Sequence, residues 1–184
     1  MKRYPLVVMA VLVLVGCVDD GKATVQPYDR APVPAVPDRT APIDPATIAG
    51  DGSLTNVADG DYWADAVAVG SGVPFIMFDL SQAFFAQTCI DELGEQNCVD
   101  GYGVMAEPHG TLTVLWDDLQ SVTVVAESQQ NFAVPGAELA SLVGGNPPSS
   151  DPPGDYRYVP YPFVVTVRNG QIVDAHQIWL PGLN

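Results

Sequence analysis

The sequence predicts an α+β domain: an antiparallel sheet of five or six strands, one main helix packed on a face, and a β-hairpin at the C-terminal end. Three observations point there. Residues 163–167 and 172–180 are strand-like apolar runs around Asn169-Gly170, a dipeptide that favours a type I′ turn because both its residues tolerate positive φ. Leu80, Ala83, Phe84, Gln87, Ile90 and Leu93 recur at near-helical spacing and stop at Gly94. The other apolar runs are short and separated by turn-forming residues, as strands are.

Along the chain, residues 62–69 alternate loosely between larger side chains and Ala or Asp, Gly70-Ser71-Gly72 interrupts them, and 73–78 is a second apolar run, so the pair reads as a hairpin. Asp79 with Gln82 three residues later supplies an N-cap and capping-box partner for the main helix, and Gly94 supplies its stop. Residues 102–106 and 112–116 are short strands around Pro108-His109-Gly110, and 121–126 is another. Residues 134–142 suit a short helix, and 144–155, loaded with Gly, Pro and Ser, a surface loop.

In the last hairpin Arg168 faces Gln171, which pairs Val167 with Ile172, Val165 with Asp174 and Phe163 with His176. The opposite face holds Val164, Thr166, Val173, Ala175, Gln177 and Trp179. It is expected to turn inward, because that choice keeps Asp174 and His176 out of the core.

The first residues have a different character. Lys2 and Arg3 precede an apolar run over 6–15, which ends in Leu14-Val15-Gly16-Cys17. This is the layout of a secretory signal peptide, with a basic start, a greasy core and small residues at the cleavage point. The run is about 15 residues at most, short of the roughly 20 that a spanning helix needs. Leu14-Val15-Gly16-Cys17 resembles the lipobox of bacterial lipoproteins. That resemblance implies cleavage between Gly16 and Cys17, a diacylglyceryl group on the Cys17 thiol, and attachment to the cell membrane on its extracytoplasmic side.

Three parts follow: a leader over 1–16, a lipid-anchored tether over 17–52, and one domain over 53–184. The tether carries Pro27, Pro32, Pro34, Pro37, Pro42 and Pro45, which remove backbone donors and favour an extended chain.

Loss of Lys2 and Arg3 takes the formal charge from −15 to −17, and no Lys or Arg occurs between Arg39 and Arg157. Such a chain has no basic stripe to neutralise phosphates, which excludes nucleic acid as a partner. It also gives anionic lipid head groups nothing to hold, so membrane lipid is reached through Cys17 alone. With Cys17 assigned to lipid, Cys89 and Cys98 remain as an even pair in an oxidising compartment, where they are expected to form a disulfide from the end of the main helix to the following loop.

No catalytic constellation stands out. Ser71 sits between glycines, but Gly-x-Ser-x-Gly is absent and no helix follows. Glu107-Pro108-His109 and Asp174-Ala175-His176 each offer a carboxylate and an imidazole, and zinc binding follows only if the two pairs meet in space. Asp91, Glu92 and Glu95, and the Asp117-Asp118 pair, lack the order of an EF-hand loop. Trp63, Trp116 and Trp179 are expected in the core rather than along a ligand groove. No catalytic residue, cofactor or metal is assigned.

The runs Asp59-Gly60-Asp61-Tyr62-Trp63, Phe78-Asp79-Leu80-Ser81-Gln82, 162–170 and Gln177-Ile178-Trp179-Leu180-Pro181 are similar to those of small exported lipoproteins from high-GC Gram-positive bacteria. The resemblance implies a comparable strand-to-helix junction and terminal hairpin, and no biochemical activity. The expectation is therefore a non-catalytic module that binds a small ligand or an envelope protein, with an extracytoplasmic hydrolase using dispersed acids as the alternative.

Overall fold

The computed structural model describes residues 27–67, 74–149, 151–154 and 156–180. Within them the strands and helices run β1 (Asp29–Ala31), β2 (Gly60–Val67), β3 (Phe75–Ser81), β4 (Ala83–Phe85), α1 (Ala86–Leu93), β5 (Tyr102–Val104), β6 (Gly110–Leu115), β7 (Ser121–Val125), β8 (Asn131–Ala133), α2 (Gly136–Val143), β9 (Phe163–Arg168) and β10 (Gln171–Gln177). Cys17 and the leader lie outside the described residues, as do Ser71 and its flanking glycines.

Eight strands make one sheet in the order β1-β8-β7-β10-β9-β2-β3-β6, and β4 and β5 form a separate ribbon. The sheet is larger than the five or six strands expected, and it is mixed. β10 runs parallel to β7, whereas it is antiparallel to β9. The reason is topological: β8, α2 and the loop after it separate β7 from the terminal hairpin, which returns to lie between β7 and β2. A one-dimensional reading sees the hairpin but not the neighbour it joins.

Asn169 (φ 52°) and Gly170 (φ 75°) form the expected turn, and Arg168 pairs with Gln171 and Val167 with Ile172. Beyond that the register shifts by one across Val173, so that Asp174 faces Thr166, Ala175 faces Val165, His176 faces Val164 and Gln177 faces Phe163. The bulge inverts side-chain parity on β10 alone. Phe163, Val165 and Val167 therefore point into the core together with Ile172 and Ala175. This corrects the inward face expected for β9, while Asp174 and His176 do stay outside that core.

Asp79 is not a helix cap. It sits inside β3, opposite Asp65 of β2 and Thr111 of β6. Ile76, Phe78 and Leu80 alternate into the core, and this period of two overrides the helical spacing that Leu80 shares with Ala83 and Phe84. Thr40 fixes the point of change: its backbone N–H donates to the Ala83 carbonyl (2.9 Å), and its hydroxyl accepts from the Ala83 N–H (2.8 Å). The helix begins only at Ala86 and stops at Gly94 as expected. Residues 134–142 give α2, which starts two residues late because Val134 still bonds to β7.

The two faces of the sheet are covered differently. On one, Tyr62, Ile76, Phe78, Leu112, Val124, Phe132, Phe163 and Val165 pack with Leu139 and Leu142 of α2. Each such fully buried side chain contributes roughly 1.5–3 kcal/mol. On the other, Trp63, Val164, Ile178 and Leu180 form a smaller cluster with Phe85 and Tyr102. α1 packs on the β4–β5 ribbon, and its buried residue, Cys89, is not part of the first cluster, so the main helix is not what covers that core.

Residues 27–52, expected as tether, lie against the domain. β1 pairs with β8, and Tyr28, Thr40 and Ile43 are buried. The prolines do keep the stretch extended, but an extended chain can also lie across a sheet. Among the described residues no helix is long and apolar enough to cross a membrane.

Candidate cleft on the second face of the sheet

A cavity of about 310 Å³ opens on the second face. Its floor is two adjacent rungs of the sheet. One rung runs Asp61, Thr166, Asp174, Ser121 across β2, β9, β10 and β7, and the next runs Trp63, Val164, His176, Thr123, Ala133 from β2 to β8; all of these but Asp174 and Trp63 line the cavity itself. The bulge at Val173 puts His176 in this row, because without it the imidazole would share the face of Phe163. Ala31, Pro32, Pro34 and Ala35 form the remaining wall. The proline-rich segment thus roofs the site.

Two polar pairs stand in the cleft. Thr166 Oγ1 donates to Asp61 Oδ1 at 2.7 Å, and Thr123 Oγ1 lies 3.1 Å from His176 Nδ1 in a hydrogen bond. Burial pulls the His176 pKa below the ordinary histidine value, against an upward pull from Asp174 and then Asp61. Desolvation wins, so the imidazole is neutral at neutral pH. It can then offer one ring nitrogen as acceptor and the other as donor.

A second titratable group lies toward the other end of the same face. His109 Nδ1 is 3.0 and 3.1 Å from the two Asp79 oxygens, and its Nε2 is 3.4 Å from Glu107 Oε1. The Asp79 hydrogen bond and charge hold the His109 pKa above its usual value. Desolvation, and next the Asp79 charge, raise that of Asp65 across the ladder. The two sequence-local pairs, around His109 and His176, do not converge. Among the described residues no three His, Cys, Asp or Glu side chains come together as metal ligands would.

Cys89 and Cys98 are joined in a disulfide with Cα atoms 5.9 Å apart, linking the middle of α1 to the turn after it. Its sulfur packs so close to β5 that a Cβ on Gly103 would meet Cys89 Sγ at 2.9 Å and the Asn97 carbonyl at 2.6 Å. Glu92 bonds to Arg39, and Asp91 accepts from Gln87. Trp63 is buried between Phe85 and Tyr102, with ring centroids at 5.6 and 5.9 Å, and Trp116 packs on the core. Trp179 instead lines a second cavity, of about 240 Å³, with Val33, Pro34, Asn131 and Gln177.

The sequence does not single out Asp61, Thr123 and Thr166 as site residues. A polar residue inside each of three strand-like runs was the available signal, but choosing among many such residues needs the strand order. No family model, no curated protein and no solved structure matches this chain.

Proposed function

We propose that this chain is a lipid-anchored extracytoplasmic binding protein, held to the membrane through Cys17, which takes a small ligand in the cleft between residues 31–35 and the second sheet face. The cleft carries the reading: an apolar recess with a few convergent polar groups is the usual form of a small-molecule site. Its groups are already paired within the protein, Asp61 by Thr166 and His176 by Thr123, which fixes their orientation before any ligand arrives. Lipid attachment rests on Leu14-Val15-Gly16-Cys17.

Hydrolysis is the second reading, and the Thr123–His176 hydrogen bond favours it, since a hydroxyl beside a neutral imidazole is the start of an activated nucleophile. Against it, Thr123 is almost fully buried, and Asp61 Oδ1 accepts from Thr166 rather than from the imidazole. A ligand-swapped thermal-shift screen on the mature protein, followed by a turnover assay of every hit, separates the two. Stabilisation without turnover supports binding. Turnover that disappears in His176→Gln supports the enzyme.

Anchoring is tested by Cys17→Ser in an exporting bacterial host. The variant is expected to leave the membrane fraction or to remain uncleaved. Normal maturation and unchanged membrane retention contradict the proposal.

A further inference from the structure

We propose that the cleft selects a small organic cation, an ammonium group on a compact apolar body, with Asp61 as its counter-charge. This rests on the reading of the cleft as the binding site and adds the chemistry of the ligand. The argument begins with the sign of the charges around the floor. Asp61 and Asp174 stand on either side of Thr166 in one rung, on strands that each lie about 4.8 Å from β9. His176, in the neighbouring rung, contributes no positive charge at neutral pH.

Among the described residues no Lys or Arg lines the cavity. Arg30 shares its rung with Phe132, on the core side of the sheet, whereas Ala31 lines the cleft. Arg168, two residues beyond Thr166 on β9, donates to its neighbour's carbonyl on Val167 at 2.9 Å and is not part of the lining. The chain as a whole has a formal charge of −15. An anion entering the cleft meets repulsion from near and far, and a cation meets attraction from both.

The acceptors suit an ammonium group. A carboxylate has about four lone-pair sites over its two oxygens, and Thr166 occupies one on Asp61. The Thr166 and Thr123 hydroxyl oxygens stand in the adjacent rungs. A bare divalent ion is a poorer match, because hard cations gather six or more oxygens and, among the described residues, Asp61 is the one carboxylate that lines the cavity. The walls define the rest of the ligand. Pro32, Pro34, Ala35, Ala133 and Val164 are small and apolar, and about 310 Å³ is the lower end of the range for ligand pockets, which runs from roughly 300 to 1,000 Å³. A body of one small ring or a short branched chain fits these dimensions.

The test uses three probes of one shape and different charge, cyclohexylmethylammonium, cyclohexylmethanol and cyclohexanecarboxylate, titrated into the detergent-solubilised mature protein at pH 7.5. Affinity is read by calorimetry and location by the NMR signals of the His176 ring. The expected result is a cation at least tenfold tighter than the alcohol, a carboxylate weaker than both, and loss of the cation's advantage over the alcohol in Asp61→Asn. The wild-type comparison stands alone if Asp61→Asn does not fold. Alcohol equal to ammonium, or carboxylate the tightest, with His176 perturbed, overturns the cation and leaves the cleft as a binding site. Failure of all three probes to perturb His176, while screen hits bind elsewhere, overturns the cleft itself.

Discussion

At the scale of single residues, the firmest tie between the N-terminal segment and the domain is Glu138. It is buried in α2, where Oε1 accepts from the Tyr28 hydroxyl (2.6 Å) and from the Ser149 N–H (2.9 Å), and Oε2 accepts from the Ser149 hydroxyl. Burial first, and then this hydrogen bond, keep the Tyr28 phenol protonated far beyond its usual range. Removing the carboxylate strands the buried Tyr28 hydroxyl, whereas the Ser149 donors are exposed and turn to water, so Glu138→Ala is expected to cost about 1–3 kcal/mol in chemical denaturation, the range for one unsatisfied buried group. Glu138→Gln should cost less, because one acceptor remains.

The two histidines titrate in opposite senses. For His109, a folded-state pKa raised above the unfolded value means stability fully present below the unfolded pKa and lost as pH rises through the folded one. For His176, a lowered folded-state pKa means stability present above the unfolded value and lost as pH falls through the folded one. His109→Gln should therefore flatten the decline on the alkaline side of about 6.5, and His176→Gln the decline on the acid side, in urea midpoints measured across pH. If both variants flatten the same limb, the assignment is wrong. None of this was legible in the chain. Asp79 is 30 positions from His109, and Thr123 is 53 from His176.

At the scale of elements, the disulfide is the piece that local reasoning reached. An even cysteine pair and a ten-residue loop suffice for it, and the chain-entropy model gives about 2.7 kcal/mol for closing that loop. Reduction, or Cys89→Ala with Cys98→Ala, should lower stability by up to about that amount. A loss of order 0.2 kcal/mol in equilibrium unfolding would show that α1 is held by other contacts. The terminal hairpin was also legible, because Asn169-Gly170 states its own geometry. Its bulge was not: Val173 is an ordinary strand residue, and the two parities it joins are chosen by a core assembled from β2, β3 and α2. The onset of α1 failed for the same reason. Helical spacing and strand alternation both fit residues 78–84, and the decision lay with Thr40, 43 positions from Ala83.

At the scale of the whole molecule, a strand-forming C-terminal half and an acidic chain without basic stripes could be read in one dimension, but the mixed sheet and the cleft could not. The cavity draws its lining from six strands and the segment after β1, between Ala31 and His176. The prolines that suggested a free tether instead remove the N–H of Pro32 and Pro34 and keep the segment extended, which suits it to lie across the sheet rather than to join it. The central claim is that ligand binds under that roof, and the most direct measurement is the His176 ring spectrum of the mature protein during titration with the tightest compound from the thermal-shift screen. The account predicts saturable shifts of the His176 ring and the Thr123 and Thr166 amides with one common dissociation constant. A ligand that saturates the protein while those three signals stay fixed would contradict it.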